Sequence, residues 1–240
     1  AGGKGDLSWL LCNIDGANSV VVDPRCTDHS KLEREALWYY QHRNESILGK
    51  QSPLMDLQVQ PPYLAARHLR IFMDDKLLDS LNNTEKTDLD WEKFWKEANE
   101  RSENLPEMLH HQPRSKTDAA AACATEASTI KNPIDGRNII ESTTLILGFH
   151  PDEGTEPCIN LALKLKIPFA VVPCCVFPNL FNNRKLPNGR QVRSYNEFIL
   201  YLKLKNKNMR ETKLNFFDNV SSKSDAPDAP DAGDSGSRGY

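Results

Sequence analysis

The chain opens with Ala1-Gly-Gly-Lys-Gly-Asp-Leu7, a glycine-rich loop that leads directly into an apolar pattern typical of a helix. It is followed by Ser19-Val-Val-Val-Asp23, a β-branched run that ends in an acid. Together they resemble the first half of a nucleotide-type α/β crevice, because glycine lets the backbone approach a ligand and the acid can bind ribose hydroxyls. Such a loop follows a strand, so we expect a strand before it and a domain that is N-terminally truncated here.

The composition indicates an α/β domain with enough apolar material for a core. Of 240 residues, 39% are hydrophobic and 26% are charged, and no apolar run approaches the roughly 20 residues that cross a bilayer. Six cysteines are scattered without a C-x-x-C pair. This cysteine pattern favours a reduced, intracellular setting and predicts no metal site, and the lack of a long apolar run predicts no membrane partner. We place one domain over residues 1–220 and a disordered acidic tail over 221–240.

Charge is distributed unevenly along the chain. Residues 74–107 carry eleven acids and five bases, whereas residues 184–213 carry nine bases and two acids. The basic stretch is interpreted as a surface for a polyanion such as RNA, with Arg190 and Arg193 as substrate-binding candidates. A solvated helix face and loop would produce the same composition, and this alternative stays open.

Apolar periodicity predicts helices at residues 31–43, one or two at 63–81, and one at 90–101 whose N-cap would be Asp88 or Asp90. A largely helical insertion is expected over about 50–140. Within it, residues 102–138 lack apolar periodicity and are predicted to be a surface loop without a core of their own.

The second half of the chain predicts a strand–helix–strand unit. Residues 143–149 form a buried-type strand, residues 157–166 a helix, and residues 168–177 a second strand with its tip. Short connections of this kind imply parallel neighbouring strands. A late helix is expected at 194–205 and a final strand at 213–217.

Polar residues follow the ends of these predicted strands. Gly2, Gly3 and Gly5 would follow the expected first strand, and Asp23 the second. His150 and Asp152 follow the strand at 143–149, and Pro173-Cys-Cys175 follows the next. Ligands of open α/β sheets bind beyond the carboxyl ends of the strands, so this convergence predicts a ligand crevice. A generic turn remains the alternative for the glycine loop alone.

The glycine loop departs from the dinucleotide fingerprint, because Gly5 is followed by Asp-Leu-Ser8 rather than by the remaining x-x-G. The compact Gly-Gly-x-Gly form with an acid-tipped strand resembles the first two motifs of Rossmann-like S-adenosylmethionine-dependent methyltransferases. This resemblance implies that Gly2, Gly3 and Gly5 line the amino-acid and ribose portions of S-adenosylmethionine. It also implies that Asp23 binds the ribose hydroxyls.

A narrower resemblance lies in the second half. His150-Pro-Asp-Glu-Gly-Thr155, followed after a helix by Pro173-Cys-Cys175, is similar to a His-x-Cys-Gly-x-x-Thr and Pro-Cys-Cys motif pair. That pair occurs in tRNA acceptor-stem ribose methyltransferases and their methyltransferase-like relatives. The match covers 1–25 and 143–178, with Pro-Asp-Glu in place of x-Cys-Gly. The Asp/Asn-Pro-Pro-Tyr/Phe motif of amino-group methyltransferases is absent, which argues against base N-methylation.

Methyl transfer to a hydroxyl requires alignment and a nearby base. His150 is the candidate base, with Asp152 or Glu153 orienting it. The alternative for His150 is a loop histidine that binds backbone or caps the next helix. Asp152 and Thr155 could equally be N-caps, a role we favour for Thr155. Adjacent cysteines at a strand tip would point to opposite faces, so joint metal ligation by Cys174 and Cys175 is not expected.

The resemblance, together with the basic stretch, implies a Rossmann-like α/β methyltransferase domain that uses S-adenosylmethionine and acts on RNA, with a ribose hydroxyl favoured. A catalytically silent methyltransferase-like scaffold in a larger ribonucleoprotein or protein assembly is the second interpretation. A methyltransferase acting on a protein or a small molecule is the third.

Overall fold

The computed structural model describes residues 2–42, 60–81, 87–105 and 128–212. Helices and strands are mixed, and their bounds follow chain order. They are α1 (Asp6–Asn13), β1 (Val20–Val22), α2 (Ser30–Gln41), β2 (Arg67–Leu69), α3 (Asp75–Ser80), α4 (Asp88–Glu103), α5 (Pro133–Glu141), β3 (Ile146–Phe149), α6 (Thr155–Leu165), β4 (Phe169–Val172) and α7 (Tyr195–Lys203).

The strands of the described residues form two parallel pairs. β1 pairs with β2 in the register Val21 opposite His68, and β3 pairs with β4 in the register Gly148 opposite Val171. Parallel pairing needs a crossover between the strands, and α6 supplies it between β3 and β4. Mixed helices and small parallel sheets are compatible with the predicted α/β fold, whereas the Rossmann-like sheet stays a prediction, because the described strands form two separate pairs.

The strands and helices predicted around the crevice are confirmed. They are α1, β1, β3, α6 and β4, together with α2 and α7 farther along the chain. The predicted strand at 213–217 and the acidic tail at 221–240 lie outside the described residues.

The helical prediction for residues 63–81 is wrong at its centre, where the chain forms β2. His68 and Leu69 are fully buried because β2 lies against β1, with core side chains around it. Only α3 is helical in this stretch, and the side chain of Asp74 caps it by accepting from the backbone N of Leu77 at 3.1 Å. The segment expected to be a largely helical insertion thus supplies a strand.

The loop prediction for residues 102–138 also needs correction, because α5 begins at Pro133. Asn132 caps this helix, its side chain accepting from the backbone N of Ile134 at 2.8 Å. Gly136 is buried against the ring of Trp95 on α4, and a Cβ there would lie 2.3 Å from Trp95 Cη2. Residues 106–127, the middle of the predicted loop, lie outside the described residues.

Helix α4 begins one residue after a cap that the sequence prediction missed. Thr87, rather than Asp88 or Asp90, is its N-cap, and Asp90 accepts from the backbone N of Thr87 at 2.9 Å. This reciprocal arrangement is a capping box. It orients α4 so that Trp91 and Trp95 reach the core.

Two main apolar clusters surround the strands. The larger contains buried side chains of β2, β3, α4, α5 and α6, including Leu69, Trp95, Ile140, Ile146 and Leu161. The smaller packs α7 and the preceding loop against α6 and β4, and includes Val192 and Phe198. Among the described helices, none has the length and apolar character needed to cross a membrane.

Candidate functional site

The glycine loop lies against the carboxyl end of β1. The backbone N of Gly2 donates to Val22 O at 3.0 Å, and the backbone N of Gly3 donates to the Asp23 Oδ2 at 2.8 Å. Gly5, with φ of 85°, then turns the chain into α1, whose N-terminus has no side-chain cap. The structure therefore brings Gly2, Gly3 and Asp23 together, with Gly5 at the start of the helix.

Close packing explains why glycine occupies two of these positions. A Cβ on Gly2 would lie 2.4 Å from Val21 Cγ1, and a Cβ on Gly5 would lie 2.7 Å from His29 Cε1. Gly3 differs, since a Cβ built there meets no atom within 4 Å. Its φ of 56° still favours glycine, and its backbone faces space that a ligand can enter.

Asp23 is fully buried and its carboxylate is already well supplied with donors. Besides Gly3, its side chain accepts from the backbone N of Arg25 at 3.0 Å, from Arg25 Nε at 2.9 Å and from Arg25 Nη2 at 3.1 Å. Burial raises the pKa of Asp23, but the side-chain hydrogen bonds from Arg25 and, after them, the positive charge of the chain's first amino group act against burial, and together they hold the pKa well below its usual range. Asp23 is therefore an ionised acceptor whose lone pairs are engaged by Arg25.

The end of β3 forms a second cluster of polar groups. His150 and Asp152 both have positive φ, of 51° and 48°, which is uncommon for residues with a Cβ. The backbone N of His150 donates to Val172 O at 3.1 Å, and its exposed ring lies edge-on to Phe149. Backbone strain of this kind is frequent at functional sites.

Asp152 does not orient His150 in this structure. Its Oδ1 accepts from Cys174 Sγ at 3.1 Å, and no hydrogen bond between the His150 and Asp152 side chains is found in the described part of the chain. The N-cap role favoured for Thr155 is also wrong, because α6 starts at Thr155 itself. The buried Thr155 hydroxyl instead donates back to Asp152 O at 2.9 Å and fixes the turn.

The side chains of Asp152, Cys174 and Cys175 offer ligand atoms that all lie within 4.8 Å of one another. The expectation that the two cysteines diverge fails because β4 ends at Val172, so strand alternation does not apply to them. Two sulfurs and a carboxylate oxygen form a donor set suited to a soft divalent cation such as Zn²⁺. Burial and the hydrogen bond to Asp152 raise the pKa of Cys174 to about 12, so this thiol is protonated at neutral pH.

Arg25 connects the two strand tips electrostatically. Its hydrogen bond to Asp23 raises the pKa of Arg25 most, and the negative charges of Asp152 and Glu153 raise it further. The carboxyl ends of β1 and β3 therefore face a common region that contains the Arg25 guanidinium. Sequence analysis missed this residue, although its position two residues after the strand-ending acid is a signal for local pairing.

Two buried histidines also lie under the glycine loop. His68 Nε2 is 2.8 Å from Asp23 O, and burial lowers the pKa of His68. Burial likewise lowers the pKa of His29, and neither ring nitrogen of His29 has a hydrogen-bond partner among the described residues. Both histidines are neutral at pH 7 by this geometry, and His68 was missed because its strand was predicted to be helical.

Much of the basic stretch is engaged within the fold. Arg184 is buried, with 3% of its side chain exposed, and its Nε lies 2.6 Å from Glu156 Oε2. Lys205 Nζ lies 2.6 Å from Oε1 of the same carboxylate. Arg190 pairs with Glu197, and the guanidinium of Arg193 donates to the Gln191 side-chain oxygen at 3.0 and 3.2 Å. Arg184 and Lys205, two bases of the stretch 184–213, therefore pair with an acid within the fold.

Arg190 and Arg193 themselves are exposed and lie just before α7. The Tyr195 hydroxyl at the start of α7 is 3.5 Å from Pro173 O, which places this helix end beside the tip of β4. The two arginines thus lie on the side of the molecule where the strand tips converge, although no described contact joins them to Asp23 or His150.

Comparisons with protein-family models, with curated proteins and with solved structures found no match to this chain.

Proposed function

We propose that this chain is an S-adenosylmethionine-dependent methyltransferase-like domain that acts on RNA, with a ribose hydroxyl as the favoured acceptor. The observation that carries the proposal is the contact between Gly3 N and Asp23 Oδ2, 2.8 Å long, at the carboxyl end of β1. It joins a glycine turn and a strand-ending acid at the position where open α/β sheets bind nucleoside ligands.

The residues present fit an adenosyl cofactor in three respects. Gly3 faces open space, and the N-terminus of α1 carries backbone N–H groups without a side-chain cap, which suits a carboxylate. Asp23 is an ionised acceptor of the kind that binds ribose hydroxyls. Gly2, Gly3, Gly5 and Asp23 would hold the cofactor, which supplies an activated methyl group when bound.

His150 is the group that would accept the proton of the substrate hydroxyl. It is exposed, it follows β3 directly, and its backbone is fixed by the hydrogen bond to Val172 O. Asp152 would tune the surroundings through charge, since its carboxylate is bonded to Cys174 rather than to His150. General base catalysis of this kind contributes about 10²–10⁴-fold to a rate.

RNA is favoured as substrate by exposed arginines at the start of α7, next to the β4 tip. The guanidinium of Arg193 is bonded to a neutral amide oxygen in the contacts described, whereas the guanidinium of Arg190 is paired with the Glu197 carboxylate. We therefore expect Arg193 to contribute more to phosphate binding than Arg190.

The second candidate function is a catalytically silent scaffold, and the Arg25–Asp23 pair favours it. Arg25 donates two side-chain hydrogen bonds to the carboxylate that a ribose would need. In an active enzyme this guanidinium has to move aside when ligand enters. A scaffold would keep the pair permanently, because it needs the crevice only as part of the folded core.

Cofactor titration tests the first proposal. Calorimetry with S-adenosylmethionine and with its demethylated product is expected to show binding that Asp23→Asn weakens about tenfold to a hundredfold, the range for lost hydrogen bonds to a charged acceptor. Asp15→Asn, an exposed acid in the turn before β1, is the matched control. Unchanged affinity in a folded Asp23→Asn protein contradicts the crevice assignment.

Turnover separates enzyme from scaffold. With an RNA pool as acceptor, His150→Ala is expected to lose about 10²–10⁴-fold in rate while cofactor affinity stays at the wild-type value. His42→Ala, at the C-terminal end of α2, serves as the control. Tight cofactor binding without wild-type turnover on RNA or protein pools would favour the scaffold.

The salt dependence of RNA binding tests the polyanion surface. Each phosphate contact that is lost lowers the slope of log affinity against log salt by about one. Arg193→Ala is expected to lower the slope by that amount, and Arg190→Ala by less. Lys31→Ala on α2 is the reference variant. A slope that stays unchanged when Arg190 and Arg193 are both replaced by alanine would indicate that the basic stretch is a solvated face and does not bind phosphate.

A further inference from the structure

The chain segments that follow β3 and β4 leave the sheet side by side. The two strands pair in parallel up to Phe149 and Val172, where the backbone N of His150 donates to Val172 O at 3.1 Å. Asp152 lies three residues beyond the end of this ladder on one segment, and Cys174 lies two residues beyond it on the other. The parallel register therefore brings both residues to the same end of the strand pair.

Three ligand atoms at this end form one compact group. The Sγ atoms of Cys174 and Cys175 and a carboxylate oxygen of Asp152 all lie within 4.8 Å of one another, and Cys174 Sγ lies 3.1 Å from Asp152 Oδ1. A tetrahedral Zn²⁺ ion, with bonds of about 2.3 Å to sulfur and about 2.1 Å to oxygen, would hold such atoms about 3.6–3.8 Å apart. Changes of about 1 Å or less in these separations would therefore let the group surround the ion.

Both segments are fixed by contacts that do not involve the three ligand atoms. Thr155 is buried, and its hydroxyl donates to Asp152 O at 2.9 Å, which ties the backbone that carries the carboxylate to α6. On the other segment, Arg184 Nη1 donates to Val176 O at 3.0 Å, immediately after Cys175. Ligands that the fold already positions lose less conformational entropy when they bind an ion.

The charge and the donor type of the group suit zinc. Two thiolates and one carboxylate carry three negative charges, so a bound Zn²⁺ leaves one uncompensated. The hydrogen bond to Asp23 raises the pKa of Arg25 most and the charge of Asp152 raises it further, so the guanidinium acts electrostatically on the ligand group and offsets that charge. Sulfur donors favour Zn²⁺ over Mg²⁺ and Ca²⁺, which take oxygen ligands.

We propose that Asp152, Cys174 and Cys175 form a Zn²⁺ site that leaves the fourth coordination position open to water or to another ligand. Within the described residues the group has these three members, whereas closed structural zinc sites have four protein ligands. A cation that binds a thiol displaces its proton to solvent, so the hydrogen bond between Cys174 and Asp152 is the metal-free form of the contact. The proposal replaces the sequence-based expectation of no metal site and does not depend on methyl transfer.

Zinc titration of the full chain tests the site. The protein is stripped with a chelator and kept reduced with a phosphine, and Zn²⁺ is added in competition with a chromophoric chelator of known affinity. We expect Cys174→Ser, Cys175→Ser and Asp152→Asn each to weaken Zn²⁺ binding more than about 100-fold, beyond the range that outer-shell groups contribute. Cys26→Ser, at an exposed cysteine outside the group, and Glu153→Gln, at the neighbouring acid, are the matched controls and should bind nearly as tightly as the wild type.

Cobalt(II) supplies a second readout on the wild-type chain, which does not require the variants to fold. Thiolate ligands give Co²⁺ a charge-transfer absorption, which we expect in the wild type and in Cys26→Ser. Absence of this absorption from the wild type would overturn the proposal, as would Zn²⁺ affinity that survives in Cys174→Ser or Cys175→Ser. Loss of affinity in both cysteine variants but not in Asp152→Asn would also overturn it, because the carboxylate would then not be a ligand.

Discussion

The guanidinium of Arg25 covers the carboxylate of Asp23 with two hydrogen bonds, of 2.9 and 3.1 Å, at the carboxyl end of β1. Asp23 is fully buried, whereas 38% of the Arg25 side chain remains exposed. The same pair therefore stabilises the fold and covers the oxygen atoms that the proposed contact with a ribose would use. Its two roles have opposite consequences when Arg25 is removed.

Replacing Arg25 is expected to weaken the fold and to strengthen ligand binding. Arg25→Ala removes two charge-assisted hydrogen bonds, so we expect a loss of about 1–2 kcal/mol in the free energy of unfolding, a range reduced for the exposure of Arg25. Affinity for S-adenosylmethionine should rise, because no side chain has to be displaced. Urea unfolding and calorimetry measure the two effects. Arg70→Ala, whose side chain bonds Pro24 O instead, is the control, and a parallel fall in both quantities would contradict this account.

The buried His68 predicts loss of stability on mild acidification. Burial lowers its pKa below the ordinary value of 6.5, although its hydrogen bond to Asp23 O acts in the other direction. Below pH 6.5 the unfolded chain therefore binds more protons than the folded one. The free energy of unfolding should fall as the pH drops from 7.5 to 5.5, by up to about 1 kcal/mol from this group.

Substitution identifies the histidine responsible. His68→Gln keeps an amide donor for Asp23 O and should flatten the pH dependence between 7.5 and 5.5. Urea midpoints at both pH values provide the measurement, and an undiminished pH dependence in His68→Gln would assign the effect to another group, such as His29.

The contact between α4 and α5 predicts a strong effect of a single methyl group. In Gly136→Ala the new Cβ would meet Trp95 Cη2 at 2.3 Å, so the helices must shift. Overpacking of this kind costs about 1–3 kcal/mol. Asn138→Ala, exposed on the same helix, should be neutral or slightly stabilising. Thermal unfolding of the two variants distinguishes them, and equal midpoints would mean that the contact is loose.

Strong local signals made much of the site predictable. The glycine loop, the β-branched run before Asp23 and the apolar strand before His150 each indicate their element without tertiary information. The sequence analysis did not predict β2, because a three-residue strand surrounded by core residues shows no alternation of polar and apolar side chains. Its neighbours Leu64, Ile71 and Leu78 are, in addition, spaced as in a helix. Missing β2 also meant missing His68 beside Asp23.

Side-chain pairing was the other part that sequence could not supply. Nothing in the spacing of Asp152 and Cys174, 22 residues apart, indicates that they are bonded, because the contact depends on the register of β3 and β4. The same holds for Arg184 and Glu156, which turn part of the basic stretch into a packing element. The composition gives the number of charged residues, but their ion-pair partners can be identified only from the fold.

The hydrogen bond between Cys174 and Asp152 predicts a thiol that is slow to alkylate. Burial, followed by this hydrogen bond, raises the pKa of Cys174 to about 12, and alkylating reagents react with the thiolate. At pH 8.5 we expect Cys174 to react far more slowly than the exposed Cys26 of the same molecule. Asp152→Asn removes the negative charge beside the sulfur and should speed alkylation of Cys174 by roughly tenfold for each unit by which its pKa falls.

Mass spectrometry of the peptides after timed reaction with iodoacetamide gives the rate at each cysteine. Cys26 is the internal reference, and its rate should be the same in both proteins because it lies outside this contact. Glu153→Gln is the matched control, since Glu153 is the adjacent acid and is not bonded to Cys174 in the described contacts. If Asp152 instead orients His150 in solution, Cys174 would react as fast in the wild type as in Asp152→Asn. That result would return Asp152 to a positioning role beside the candidate base.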